Sequence, residues 1–159
     1  MEAIRIGICD DEDFFCEELE KLVSVYGNDA EHKLDIHTYS KAEDVVVDIL
    51  EKNVEHHILF LDVEMDGMTG MEAAQKLRRE GYKGIICFVS SQDRYAFEAF
   101  GVEAIGYVKK PAKYQDVKRL IQKALIQIYY QRDEEEAKKR YLEITTQNEK
   151  TMLDLQQVL

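Results

Sequence analysis

The chain has 159 residues, 45% of them hydrophobic, which is enough to bury the core of one domain and leave room for an appendage. A formal net charge of −11 argues against unaided nucleic-acid binding, because neutralising phosphates needs clustered Lys and Arg. No apolar run is long enough to span a membrane and no basic stretch precedes an apolar N-terminal segment, so the expected location is cytoplasmic, with no membrane partner.

In chain order, AIRIGIC (3–9) is short, apolar and β-branched and predicts a buried strand that stops at Asp10-Asp11. Over 13–26, Phe15, Leu19, Leu22, Val23 and Tyr26 recur at three and four, predicting a helix ended by Gly27. KLDIHTYS (33–40) predicts a second strand, and Ser40 with Glu43 a capping box for a helix through about Lys52. HILFLD (57–62) is a third strand that ends abruptly in a carboxylate, Asp62. Thr69 with Glu72 makes a second capping box, opening a helix to about Glu80.

GIICFVSS (84–91) is a fourth strand, DRYAFEAF (93–100) a short helix stopped by Gly101, and EAIGYVKK (103–110) a fifth strand followed at once by the only proline, Pro111. A last helix starts near Tyr114, with Val117, Leu120, Ile121, Ala124, Leu125 and Ile128 on one face. Strands alternating with helices in this way require crossovers, so the fold class is α/β, a doubly wound five-stranded parallel sheet covered on both faces.

Past about residue 128 the character changes. Glu134, Glu135 and Glu136 each precede a basic residue by four, so 129–140 can continue the helix as a solvated linker. YLEITTQNEKTMLDL (141–155) alternates on either side of a polar break and predicts a hairpin. Three cysteines (Cys9, Cys16, Cys87) without CxxC spacing suit buried small residues better than a disulfide framework or zinc site. The histidines His32, His37, His56 and His57 lack ligand spacing and are expected on the surface or at strand flanks.

Chemistry is concentrated where strands end. The predicted strands stop at Asp10-Asp11, Asp62, Ser90-Ser91 and Lys109-Lys110-Pro111, all on one sheet edge, which is where open α/β sheets bind ligands. Adjacent carboxylates repel unless a cation sits among them, and hard oxygen donors with room for water suit Mg²⁺. A lysine opposite would neutralise a phosphoryl group and a serine hydroxyl could donate to its oxygens. Singly, such acids and Lys-Pro steps are ordinary solvated turns; their joint placement is what carries the reading.

These residues resemble the receiver domain of bacterial two-component response regulators, over roughly residues 3–128. The resemblance implies a flavodoxin-like (βα)5 receiver with strand order 2-1-3-4-5, and phosphoryl acceptance on Asp62 from a sensor histidine kinase. It implies that Asp11 and Asp62 ligate Mg²⁺ directly, that Asp10 acts mainly through water, and that the main-chain carbonyl of Glu64 completes the protein ligands. Ser90 matches the hydroxyl that moves onto the phosphoryl group, Tyr107 the aromatic that swings inward behind it, and Lys110 the lysine of the family pattern, with a cis Lys110-Pro111 peptide. The chain is then a phosphoacceptor and not an enzyme, beyond dephosphorylating itself.

Two positions depart from the family pattern: Asp66 stands where many relatives have proline, and Ala112 where phenylalanine commonly follows Lys-Pro. The stretches FLDVEMDGMTGMEAAQKLR and SSQDRYAFEAFGVEAIGYVKKP are similar to receivers joined to LytTR-type DNA-binding domains of the LytR/AgrA kind. That similarity implies a receiver at 1–128, a helical linker at 129–140, and at 141–159 the opening strands of a truncated mostly-β effector. Transcription control would run through DNA contacts made only by the missing effector. Homodimerisation on phosphorylation is expected through helix four, strand five and helix five, where Arg94, Glu98, Lys113, Asp116 and Arg119 are exposed candidates.

Other readings stay open at this point: a stand-alone receiver acting by protein contact, with the tail as a hairpin or dimer contact; a pseudo-receiver; or an aspartyl-nucleophile phosphatase. The phosphatase motif wants Asp two residues past the nucleophile, where this chain has Glu64, and a pseudo-receiver is expected to have lost an acid or the lysine.

Overall fold

A computed structural model describes the backbone of residues 2–158 and their side chains, apart from those of Phe97, Asn148 and 151–158. In order, the elements are β1 (Ile4–Cys9), α1 (Asp13–Asp29), β2 (Leu34–Tyr39), α2 (Ala42–Leu50), β3 (Ile58–Asp62), α3 (Gly70–Arg79), β4 (Ile85–Ser90), a 3₁₀ turn (Asp93–Tyr95) leading into α4 (Ala96–Gly101), β5 (Gly106–Lys109) and α5 (Tyr114–Val158). The strands pair in parallel in the order β2-β1-β3-β4-β5, the doubly wound arrangement expected from the alternation of elements.

Every residue of β3 and β4 is buried, because helices cover both faces of the sheet. On one face Leu59, Leu61, Ile86 and Phe88 pack with Val45 and Val46 of α2, Ala73, Ala74 and Leu77 of α3, and Ala99 of α4. Side chains alternate along a strand, so Ile58, Phe60 and Cys87 turn to the opposite face. There α1 and the start of α5 lie together, tied by a hydrogen bond from the Tyr114 hydroxyl to Asp29 at 3.1 Å. One cation closes the far edge of the sheet: the Arg78 guanidinium donates to the carbonyls of Tyr82, Gly84 and Val102, each at 2.8 Å.

Several local expectations are corrected. α1 does not stop at Gly27 but runs to Asp29, since Gly27 is buried against Leu34 and the chain turns only at Glu31, whose φ is 55°. The Ser40–Glu43 capping box does not form. Lys41 occupies the N-cap without a side-chain bond, and the Glu43 carboxylate instead accepts the Met68 N–H at 3.2 Å. β5 begins at Gly106, after Glu103 with φ 55°, and not at 103. Cys9 and Cys87 are buried and free while Cys16 is half-buried.

The chain divides into two units, Met1–Ala124 and Leu125–Leu159. The hairpin expected at 141–155 is absent: α5 continues through 129–140 and on to Val158. A lone pair of strands is marginal in water, whereas a helix bonds its own backbone, and Leu, Glu, Gln, Lys and Met favour it. Thr145 adapts by bonding the Tyr141 carbonyl at 2.9 Å. Leu159 lies outside the described residues.

His56 flanks β3 as expected and is buried there, only 2% exposed. The Tyr39 hydroxyl lies 2.7 Å from both Asp48 Oδ2 and His56 Nε2. A hydroxyl has one proton and the carboxylate can only accept, so Tyr39 donates to Asp48 and accepts from His56, which assigns the ring proton to Nε2. Nδ1 then has no hydrogen-bond partner among the described residues. Burial first, and then neighbouring His37, pull His56 down from an ordinary value of 6.5 to about 4, so the folded protein keeps it neutral. The unfolded chain binds this proton more readily, so stability should be lost as pH falls from about 6.5 towards about 4, by roughly 3 kcal/mol from this group. Denaturant melts across that window should be steeper in pH for the parent than for His56→Gln, which has no ring to titrate; equal slopes would refute the assignment.

Candidate functional site: an acidic pocket at the strand ends

Register places the site. Cys9 pairs with Leu61 across β1 and β3, so the next step along both strands sets Asp10 beside Asp62. Asp62 pairs with Val89, and Ser90 with Lys109, so Ser90 and Lys110 arrive at the same edge from β4 and β5. Asp10, Asp62 and Ser90 are buried there, and Asp11 remains exposed.

The Lys110 ammonium joins the pocket, 2.8 Å from Asp10 Oδ2 and 3.3 Å from Asp62 Oδ2, with only 7% of its side chain exposed. The Phe15 ring lies beneath it, its centroid 4.4 Å from Nζ. The Lys110-Pro111 peptide is cis. Burial raises Asp62 to about 7, and repulsion from Asp10 adds to the rise while Lys110 opposes it. On Lys110 burial acts downward, but its hydrogen bond to Asp10 and the charges of both acids outweigh it and raise the ammonium's pKa.

Asp10, Asp11 and Asp62 each offer a carboxylate oxygen within 4.8 Å of the others. An all-oxygen donor set with one exposed member fits a hard divalent cation that keeps part of its water shell. Asp10 is already committed, Oδ1 to the Glu12 N–H at 2.9 Å and Oδ2 to Lys110. Asp11 is steadied by the Asp66 N–H, 3.3 Å from its Oδ2, a bond that a proline at 66 could not make. The departure at 66 therefore reaches the pocket.

Ser90 and Tyr107 meet at one residue. The Ser90 hydroxyl accepts the Gln92 N–H at 3.0 Å, while the half-buried Tyr107 hydroxyl donates to the Gln92 carbonyl. The side chain of Glu64 turns to Arg94 and Tyr95, accepting from both at 2.9 Å, and these bonds hold it below the usual carboxylate range. Arg94, an exposed candidate for a dimer face, is exposed and also paired with Glu64 within the chain. Asp116 and Arg119 stand 3.8 Å apart on one helix.

A parallel doubly wound sheet with three clustered carboxylates and a buried lysine at its carboxyl edge is the arrangement of the receiver class of α/β domains. Residues 6–122 match the family model for the response regulator receiver domain, and the chain belongs to that family. It is 28% identical over 120 residues to the sensory transduction protein LytT of Bacillus subtilis, covering 76% of this chain and 47% of that one. It is 30% identical over 121 residues to the positive alginate biosynthesis regulatory protein of Pseudomonas aeruginosa, with the same shares covered. The chain thus spans about half the length of the curated relatives it matches. Among solved structures, a CheY-like receiver domain protein from Methanospirillum hungatei superposes with a TM-score of 0.70 at 17% identity, covering 82% of this chain and 99% of that one. The response regulatory domain of mrkE from Klebsiella pneumoniae gives 0.67 at 24%, covering 77% and 95%. Among the described residues, no helix is long and apolar enough to cross a membrane.

Sequence reading missed Gly70, the first residue of α3. A Cβ there would collide with the Asp62 carbonyl, so only glycine lets the helix approach the end of β3. The capping box beside it did form, with Thr69 Oγ1 accepting the Glu72 N–H at 3.1 Å. Gly70→Ala should destabilise the fold by about 1–3 kcal/mol as the helix is pushed off the strand end. Gly101→Ala, where nothing lies within 4 Å of the added Cβ, is the control. Equal melting midpoints for the two variants would refute the close-approach account.

Proposed function

We propose that this receiver is switched by phosphorylation, with Asp62 taking a phosphoryl group from a sensor histidine kinase. The observation that carries the reading is the buried Lys110 ammonium facing both Asp62 and Asp10 while Asp11 leaves the pocket open to solvent. An Asp62 oxygen forms the new O–P bond as the P–N bond of a phosphohistidine breaks, and the bonding pair stays on the imidazole nitrogen. Lys110 sits where charge on the phosphoryl oxygens develops and needs no reorganisation to meet it. Asp10, Asp11, Asp62 and the main-chain carbonyl of Glu64 would hold Mg²⁺, which when bound adds positive charge beside those oxygens.

Release from the pocket would run through Gln92. If Ser90 turns its hydroxyl to the phosphoryl group, the Gln92 N–H loses its acceptor, and the loop that also holds Tyr107 is freed to take a second arrangement. The surface of α4, β5 and the first turns of α5 is the face this loop would remodel, and with it a phosphorylation-dependent homodimer. Output through a LytTR-type DNA-binding domain, in the cytoplasm, rests on the sequence resemblance and on the length of the relatives. The helix over 141–158 gives it no effector strands. That helix favours keeping a second reading, a receiver acting by protein contact without DNA output.

Incubation with Mg²⁺ and a small phosphodonor should add one base-labile phosphoryl group by intact mass, and Asp62→Asn should lose it while its melting curve stays cooperative. Labelling of that variant at the parent's rate would overturn the assignment. For the metal, both oxygens of Asp10 are already bonded while Asp11 faces solvent, so Asp11→Asn should weaken Mg²⁺ binding more than Asp10→Asn. Titrations giving the reverse order would refute this division of roles.

A further inference from the structure

Most of the large apolar side chains that stay exposed lie on the latter part of α5. Among the described residues Ile126 is 71% exposed, Tyr130 65%, Tyr141 69%, Leu142 63% and Ile144 57%, on a helix whose remaining surface there is mostly charged or amide-bearing. Tyr130, Tyr141 and Ile144 fall on two interleaved series of seven, with Ile126 and Leu142 outside them. Tyr130, Ala137 and Ile144 make one, which continues in the sequence at Thr151 and Val158; Gln127, Glu134 and Tyr141 begin the other, which continues at Asn148 and Leu155. Offsets of three and four between the series put them on one stripe of a helix, the a and d positions of a heptad.

We propose that residues 126–158 pair with the same helix of a second copy of this chain as a parallel two-stranded coiled coil. A second copy fits better than an unrelated partner because the stripe is self-complementary. In a parallel pair each residue of the seam meets its own counterpart, and Asn148, like Gln127, then places an amide opposite its own copy at an a position, a pairing that favours two strands in register. Asp133 and Lys138 flank the seam five residues apart, at g and e, so opposite charges meet across it twice. Glu134 is the discordant member: at an a position it faces its own copy, which weakens the pair and makes it reversible. The inference does not rest on the phosphoryl chemistry, and its test is run without Mg²⁺ or phosphodonor.

Sedimentation equilibrium of the full chain at tens of micromolar should give a dimer in reversible exchange. Tyr141→Asp combined with Ile144→Asp should return it to monomer without changing the melting of the receiver, and Glu134→Leu should tighten the dimer several-fold. Asp62→Asn should dimerise as the parent does, which separates this seam from any phosphorylation-dependent face. For register, Ile144→Cys should form disulfide-linked dimers under mild oxidation, while Lys139→Cys, on the outer side of the helix, should not. A monomeric parent, an undiminished dimer in the double Asp variant, or equal cross-linking at 139 and 144 would each overturn the proposal.

Discussion

A buried ammonium between two buried carboxylates is the constraint on which the rest of this fold depends. Lys110 lies 2.8 Å from Asp10 and 3.3 Å from Asp62, and such charges are tolerated out of water only when their partners are placed correctly. Three strands supply the three groups, so their register must be set to a single residue. A slip by one on β1 or β3 would turn the acid to the other face and put an apolar side chain in the pocket. The fully buried runs of β3 and β4 hold that register by packing, since no such slip keeps Phe60 and Phe88 on their own faces.

The pocket is left with an excess of negative charge. Lys110 offsets only part of the repulsion among Asp10, Asp11 and Asp62, and burial drives the Asp62 carboxyl up to about 7. Such an excess would be relieved by a bound cation, and under the proposed function the open side at Asp11 would then be where an anionic phosphoryl group approaches. Fold and chemistry are thus linked by charge balance: the sheet brings together more acid than it can neutralise.

The acids and the lysine were legible in the sequence because each sits at the end of an apolar run, where periodicity gives way to a single polar residue. Partners that reach the pocket from helices and loops were not legible. Phe15 reads as one more apolar position of α1, and only the path of that helix brings its ring under Lys110. The Asp66 N–H, the Arg94–Glu64 pair and the tolerance for Gly70 depend on loop trajectories, and backbone groups carry no sequence signal at all. The same distinction separates the two capping boxes. Thr69 caps its helix, whereas Glu43 found a competing donor at Met68, 25 residues away. At 141–155 the alternation was real but had no sheet to join, so intrinsic helix preference decided the outcome.

Gln92 links the pocket to its margin through two hydrogen bonds. Its N–H is satisfied by Ser90 and its carbonyl by Tyr107, so one peptide unit reports on a hydroxyl inside the pocket and an aromatic ring at its margin. Neither bond is strong by itself, and a net hydrogen bond is worth about 1 kcal/mol. A two-state element with so small a bias can be moved by a ligand whose contacts differ between states, and under the proposed function a phosphoryl group beside Ser90 would make such a difference. Tight packing elsewhere is what makes this possible. β4 is buried throughout and pairs with β3 and β5, so under the proposed function a change at Ser90 would be taken up by the loop between β4 and α4.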